Sequence, residues 1–274
     1  MRRDGNHPAT PALAAGRLPV QRARVTEVRP LYEDTFALWL AARDIVRRAA
    51  PGQFVMVRCG EGYDPLLPRA FSIYRVRDGA DGPELGLLLE VVGRGTAWLA
   101  RRRPGDDVAL FGPLGHGFSV RPAAQNLLLV GGGIGVAPLV WLADEQVAHG
   151  RNVTMLLGAR TAAKLYPAEL LPPEVEVVTA TDDGSAGHPG PVTDLLPEYA
   201  GWADQVLACG PTAMFRSMAA RLRALHYRRP CQVLMEERMA CGTGICYSCA
   251  VETRRHGVKL VCKDGPRFEL RDVF

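Results

Sequence analysis

The sequence predicts a multi-domain chain with three consecutive units: an antiparallel β-barrel, a doubly wound α/β domain with a mostly parallel sheet, and a small C-terminal unit built around cysteines. Three observations carry this prediction. Short β-rich runs separated by Pro-Gly and Asp-Gly turns fill residues 18–121, the pattern of an antiparallel barrel or sandwich. Apolar strands then alternate with helices of about 10–15 residues over 122–226, which indicates a parallel sheet covered on both faces. Finally, four of the seven cysteines lie between Cys241 and Cys262, in a segment of fewer than 50 residues. A unit that small rarely stabilises itself by an apolar core alone.

Taken in order, residues 1–17 read as a disordered tail. They carry Arg2 and Arg3, but Asp4, Asn6, Pro8 and Pro11 leave no apolar run of the roughly 7–15 residues that a secretory signal needs. The barrel runs follow: PVQRARVTEVRP, TFALWLAA, QFVMVRC, AFSIYRVR, ELGLLLEVV and DDVALFGPLG, interrupted by a single helix-like stretch from Thr96 to Arg103. In the second unit, the strand Asn126–Val130 leads into a glycine loop and a helix from Pro138 to His149. VTMLLGAR, a polar Pro-rich helical region, VEVVTAT, DLLPEYAG, DQVLACGP and the helix TAMFRSMAARLRAL come next, and the third unit, 227–274, begins at Tyr227. The uncharged run from Asn126 to Ala143 approaches the length of a membrane span, but Gly131, Gly132, Gly133, Gly135 and Pro138 suit a strand, a tight loop and a first helical turn instead. No internal repeat is present.

The composition narrows the function classes. A hydrophobic content of 47% and a length of 274 residues describe an ordinary globular protein of about two domains, not a short disulfide scaffold. The odd cysteine count, with Cys59, Cys209 and Cys231 isolated, favours a reducing cytoplasm. A formal charge of +4 rests on arginine, since the lysines are only Lys164, Lys259 and Lys263. These arginines are spread along the chain and their runs are short, so the sequence shows no nucleic-acid footprint.

Cys241-Gly-Thr-Gly-Ile-Cys246-Tyr-Ser-Cys249, with Cys262 further on, has the C-x4-C-x2-C…C spacing of a plant-type 2Fe-2S site. Gly242 and Gly244 let the loop curl and aim backbone N–H groups at the sulfurs. Structural zinc is the competing reading, although it more often uses two short Cys pairs. Cys59, placed on a strand, and Cys231 read as buried packing residues.

Gly131-Gly-Gly-Ile-Gly-Val-Ala-Pro138, between a strand and a helix, offers N–H groups and a helix N-terminus to a pyrophosphate. It departs from a strict G-x-G-x-x-G at Val136, and a loop made only for tight packing stays open as its alternative. Arg69-Ala-Phe-Ser72 combines a guanidinium with a hydroxyl on one strand, a pair able to hold a flavin nucleotide at two points. Gly93-Arg-Gly95-Thr96, where a strand passes into a short helix, is a second place for a diphosphate. Each of these two is weak alone, with a surface arginine or an ordinary turn as the alternative.

Together these residues resemble the ferredoxin-NADP reductase superfamily over about Leu18 to Leu225, in which a flavin barrel with an R-x-[YF]-S strand precedes a nucleotide domain with a G-x-G-x-x-P loop and a C-G-P element. The matching positions are Arg69 to Ser72, Gly133 to Pro138, and Cys209-Gly210-Pro211 followed by Met214. Phe71 stands where many members have tyrosine, so the phenol hydrogen bond is lost and packing remains. With EERMACGTGICYSCAV and VCKDGPRF added, the chain is similar to the electron-transfer subunits of the NAD-dependent, two-subunit dihydroorotate dehydrogenases. That resemblance implies Arg69, Ala70, Phe71, Ser72, Leu88, Leu89, Glu90, Gly95 and Thr96 as FAD contacts. It places the NAD nicotinamide near Gly133, Gly135, Cys209 and Gly210, and makes Cys241, Cys246, Cys249 and Cys262 the ligands of a 2Fe-2S cluster. Thr181 to Leu196 fits a loop near the nucleotide, with no role assigned to Asp182 or Asp183.

The resemblance further implies a separate FMN-containing TIM-barrel catalytic subunit that oxidises dihydroorotate for pyrimidine biosynthesis, two copies of each subunit, and no nucleic-acid or membrane partner. Such cofactors supply the redox chemistry, so no general acid or base is expected, and His116, His188 and the other histidines read as loop or packing residues. The rivals are a related NAD(P)H and flavin reductase subunit serving sulfide, ferredoxin or a bifurcating complex, an iron-sulfur sensor, and a zinc-stabilised binding module. LLGARTAAK contains no obvious ribose-reading residue, which leaves NAD against NADP open at this level.

Overall fold

A computed structural model describes residues 20–274; the tail expected at 1–17 lies outside them. Six strands close an antiparallel barrel in the order β1-β2-β5-β4-β3-β6. They are β1 (Gln21–Tyr32), β2 (Thr35–Ala41), β3 (Phe54–Val57), β4 (Arg69–Gly79), β5 (Gly82–Glu90) and β6 (Asp107–Leu114). In β6 buried and less buried side chains alternate, as on a strand with one face inward. Val25, Leu38, Leu40, Ile73, Leu85 and Leu87 are among the residues that fill the barrel.

The second sheet has seven strands in the order β10-β9-β8-β7-β11-β12-β15. These are β7 (Asn126–Gly132), β8 (Asn152–Ala159), β9 (Glu176–Thr181), β10 (His188–Pro189), β11 (Gln205–Cys209), β12 (Cys231–Leu234) and β15 (Arg267–Glu269). Every pairing is parallel except β12 with β15. Leu127, Leu128, Leu129 and Val130 are all buried, because a central parallel strand has an apolar layer on both sides. β13 (Ala250–Thr253) and β14 (Gly257–Leu260) form a separate hairpin.

The structure departs from the sequence reading at several elements. The barrel's helix spans Arg94–Ala100, starting before Thr96, and a second short helix, Arg43–Val46, also interrupts the strands. The polar Pro-rich region after β8 holds only 3-10 turns, at Ala162–Lys164 and Ala168–Leu170, since its prolines leave no uninterrupted helical run. Cys59 lies two residues past β3 rather than on it, though it is fully buried as expected. Cys231–Leu234, expected at the head of the third unit, is instead the sixth strand of the parallel sheet, and the chain returns through β15 to its edge. Periodicity cannot assign four buried residues to one sheet or another.

The units share cores. Phe54, Met56 and Leu114 of the barrel join one face of the sheet and Cys249, Leu260, Val261 and Cys262 of the C-terminal unit in a single apolar cluster. Trp39 and Tyr74 join the other face, beside the helix Ala137–Ala148. Polar ties fix the angle between barrel and sheet: Arg75 forks onto Asp144 at 2.6 and 2.8 Å and donates to the Leu170 carbonyl at 2.8 Å. The Tyr74 and Tyr166 hydroxyls meet at 2.6 Å. Buried Gln205 pins the linker, its amide donating to the Ser119 carbonyl while its oxygen accepts from the Arg121 N–H. Among the described residues no helix is long and apolar enough to cross a membrane.

Candidate functional site

The barrel and the parallel sheet meet along a cleft of three adjoining chambers. The innermost, about 280 Å³, is lined by Ala70, Phe71 and Ser72 of β4, by Leu88, Leu89 and Glu90 of β5, and by Thr96. β3 sets this face, since its Phe54 pairs in register with Ser72 and also lines the chamber. A second chamber of about 570 Å³ shares Ala70, Phe71 and Thr96 and adds Arg69 and Gly95. All nine residues implied as flavin contacts therefore line one continuous space. The Thr96 hydroxyl already has local work: it accepts from the Val92 and Gly93 N–H groups at 3.0 and 3.2 Å and holds the turn that opens this helix. The Arg69 guanidinium is exposed and donates to the Leu67 carbonyl at 2.8 Å.

The third chamber, about 550 Å³, lies at the C-terminal ends of the parallel strands, where ligands of such sheets usually sit. Gly133 lines it, with φ of +54° and no heavy atom within 4 Å of where a Cβ would stand. Gly135, Cys209 and Gly210 do not line it. Gly135 is pressed against the end of β11, and a Cβ there would come within 2.4 Å of the Cys209 carbonyl oxygen. Its glycine is required for packing, the alternative left open by the sequence.

Several lining residues were given no role by the sequence. Lys164 bonds Glu90 at 2.8 Å, and Glu90 borders both the inner and the third chamber. Asp182 lines the third chamber, whereas its neighbour Asp183 is engaged by the Ser185 N–H and hydroxyl. Tyr32 and Thr35 come from the first barrel hairpin, far from the glycine loop in sequence; only folding puts them beside it. Glu236 lines the inner chamber and faces the Cys209 thiol at 3.8 Å. Burial pushes the Glu236 carboxyl above the usual carboxylate range, and burial, then Glu236, pushes the Cys209 thiol up.

The C-terminal unit closes the cleft. Met239 lines both the first and the second chamber, and Gly242 rests on the barrel, where an added Cβ would lie 2.6 Å from Met56 Cγ. The loop needs its glycines because Gly242 and Gly244 have φ of +68° and +83°. The thiols fall into two neighbouring pairs, Cys241 with Cys246 and Cys249 with Cys262. No three His, Cys, Asp or Glu side chains among the described residues are arranged around a single ion. Two pairs suit a binuclear cluster. The Thr243 N–H donates to Cys241 Sγ and the Cys262 N–H to Cys249 Sγ, both at 3.4 Å. Burial raises the Cys241 thiol, but hydrogen bonds from Thr243 and Cys246 outweigh it and bring it down to about 6, and Ser248 lowers Cys246. Thiolates are the ligand form, so the outer pair is poised for metal. Burial and Cys249 push the Cys262 thiol up to about 12, and the charge of bound iron is what would ionise it. The donor set and the loop fit a 2Fe-2S cluster.

Comparison with known proteins identifies this arrangement. Residues 236–274 match the family model for the iron-sulfur cluster binding domain of dihydroorotate dehydrogenase B. The dihydroorotate dehydrogenase B (NAD(+)) electron transfer subunit of Desulforamulus reducens is 41% identical over 252 residues, covering 90% of this chain and 95% of its own. This chain belongs to that family. The subunit from Geobacillus thermodenitrificans is 40% identical over 92% of this chain and 98% of its own. A solved NADH-dependent reduced ferredoxin-NADP oxidoreductase, studied for flavin-based electron bifurcation, superposes with a TM-score of 0.80 at 30% identity, covering 92% of this chain and 89% of that one. The family accounts for the three-part cleft: a flavin reductase fold with an iron-sulfur domain packed against its flavin side.

Proposed function

We propose that this protein is the electron-transfer subunit of a two-subunit, NAD-linked dihydroorotate dehydrogenase. In this reading its catalytic partner oxidises dihydroorotate at FMN and the two subunits assemble two of each. The observation that carries the reading is the seating of the cluster loop on the barrel: Met239, two residues before Cys241, lines the two chambers proposed for the flavin, and Gly242 rests on Met56. When bound, a 2Fe-2S cluster exchanges single electrons, FAD exchanges one or two, and NAD accepts a hydride.

The chain's residues then bind and orient. Cys241, Cys246, Cys249 and Cys262 would hold the cluster; Arg69, Ser72, Gly95 and Thr96 would hold the FAD phosphates and ribityl chain. Ala70, Phe71, Leu88, Leu89 and Glu90 would flank the flavin ring, and Phe71 contributes packing without a phenol. Gly133 would admit the NAD pyrophosphate, with Gly135, Cys209 and Gly210 shaping the wall behind the nicotinamide. The exposed loop tip, with Ile245 at 80% and Tyr247 at 64% accessibility, supports docking of the partner beside Cys246. Seven free cysteines support a cytoplasmic setting.

The test is anaerobic. The chain is co-purified with its FMN-containing partner, dihydroorotate is added, and NADH formation is followed. NADH should appear with the pair and be lost with Cys246→Ser while flavin content is retained. A pair that leaves NAD untouched would overturn the dihydroorotate assignment in favour of a reductase serving another donor.

A further inference from the structure

A fourth cavity, of about 440 Å³, shares no residue with the three chambers of the cleft. It lies where the last turn of the helix Thr212–Ala224 meets the β13–β14 turn and the final residues of the chain. Its rim brings together Arg223, Arg228, Arg254, Arg255, Arg271 and His226, and no Asp or Glu lines it. Among the described residues, only Arg255 of these five arginines has a carboxylate within the 4.0 Å of an ion pair, that of Asp272 at 3.4 Å. Arg271 donates to the Tyr227 carbonyl. The floor is apolar and aromatic, formed by Leu222, Leu270, Tyr227 and Phe274.

Five guanidiniums around one concavity repel one another and raise its positive potential, and an anion relieves that repulsion. Guanidiniums also fork onto phosphate oxygens. The volume lies in the range of about 300–1,000 Å³ that small-molecule sites occupy, larger than one inorganic anion needs.

We propose that this cavity binds a nucleotide, its phosphates on the arginine rim and its base against Tyr227 and Phe274. The site stands apart from the redox cleft and does not depend on the identity of the electron donor.

Calorimetric titration of the full-length, cofactor-loaded chain at fixed ionic strength tests this, with purine and pyrimidine nucleoside mono- and triphosphates, inorganic phosphate and pyrophosphate as probes. Saturable 1:1 binding of a nucleotide is expected, at least tenfold tighter than inorganic phosphate and retained in saturating NAD. Arg228→Ala with Arg254→Ala should weaken it tenfold or more, while Arg22→Ala with Arg24→Ala, two exposed barrel arginines, should leave it unchanged. Arg254→Gln alone, on the exposed hairpin turn, serves as a milder variant. Absence of saturable binding, displacement by NAD, phosphate binding as tight as nucleotide, or an equal loss in the barrel control each overturns the proposal. It also fails if the nucleotides are silent and the rim variants instead weaken assembly with the catalytic subunit, for the rim is then a protein interface.

Discussion

Glu236, on the wall of the inner chamber, shows how one side chain couples stability to pH. Burial raises its folded-state pKa above the unfolded value, so the native state binds the proton more tightly. Below the unfolded value both states are protonated and the group is neutral to stability. As pH rises through the unfolded and then the raised folded value, the unfolded chain gains by ionising first and native stability falls. Glu236→Gln removes this penalty. The variant should melt at a higher temperature than the parent near neutral pH, with the difference vanishing in acid; a constant difference across pH would mean that the carboxyl does not titrate in this way. Glu236 opens the EERMACGTGICYSCAV motif, but its approach to Cys209, 27 positions earlier, comes only through the pairing of β11 with β12.

At the scale of elements, the cluster loop is positioned by backbone shape as much as by its cysteines. Gly242 has φ of +68° and stands against Met56 and Leu114 of the barrel. Gly257, on the hairpin turn, has a similar φ of +63° and open space around it. The pair separates two effects. Gly257→Ala incurs only the cost of a left-handed alanine, of order 1 kcal/mol. Gly242→Ala adds overpacking of about 1–3 kcal/mol and pushes the loop from the flavin chambers. Cluster absorbance per chain and the rate of flavin reduction should fall in Gly242→Ala and hold in Gly257→Ala; equal behaviour would show that contact with the barrel does not position the loop. Gly135 follows the same logic at the β7–β11 junction, where a backbone carbonyl occupies the space that any side chain would need.

In the whole molecule, the cleft depends on the angle between barrel and sheet, and Arg75 with Asp144 is its clearest polar lock. Their side chains are 22% and 32% exposed, so solvent screens the pair only in part. A double-mutant cycle with Arg75→Ala and Asp144→Ala should give a coupling of about 1–2 kcal/mol in chemical unfolding. Flavin content should be unchanged and hydride transfer to NAD slower, since the proposed flavin contacts all come from barrel residues while the chamber proposed for NAD is lined from both units. Zero coupling would leave the shared apolar cores and the remaining polar ties, such as the Tyr74–Tyr166 hydroxyl contact, to set that angle.

The barrel, the parallel sheet and the four-cysteine loop were legible in the sequence because each is local: strand alternation, a glycine turn between strand and helix, and C-x4-C-x2-C spacing act over a dozen residues or fewer. That the residues proposed as flavin contacts share one space follows from the same locality, since β4 and β5 are neighbours in sequence and in the barrel. Tertiary structure alone decided the rest. It moved Cys231–Leu234 into the sheet, set Gly135 against the end of β11 where only a glycine packs, and brought Tyr32 and Lys164 to the chamber that Asp182 lines. It also gathered five arginines, scattered over nearly 50 positions from Arg223 to Arg271, around one cavity. The physical reason is the same throughout. Burial in shared cores fixes which distant segments meet, and composition reports how much charge a chain carries but not where folding concentrates it.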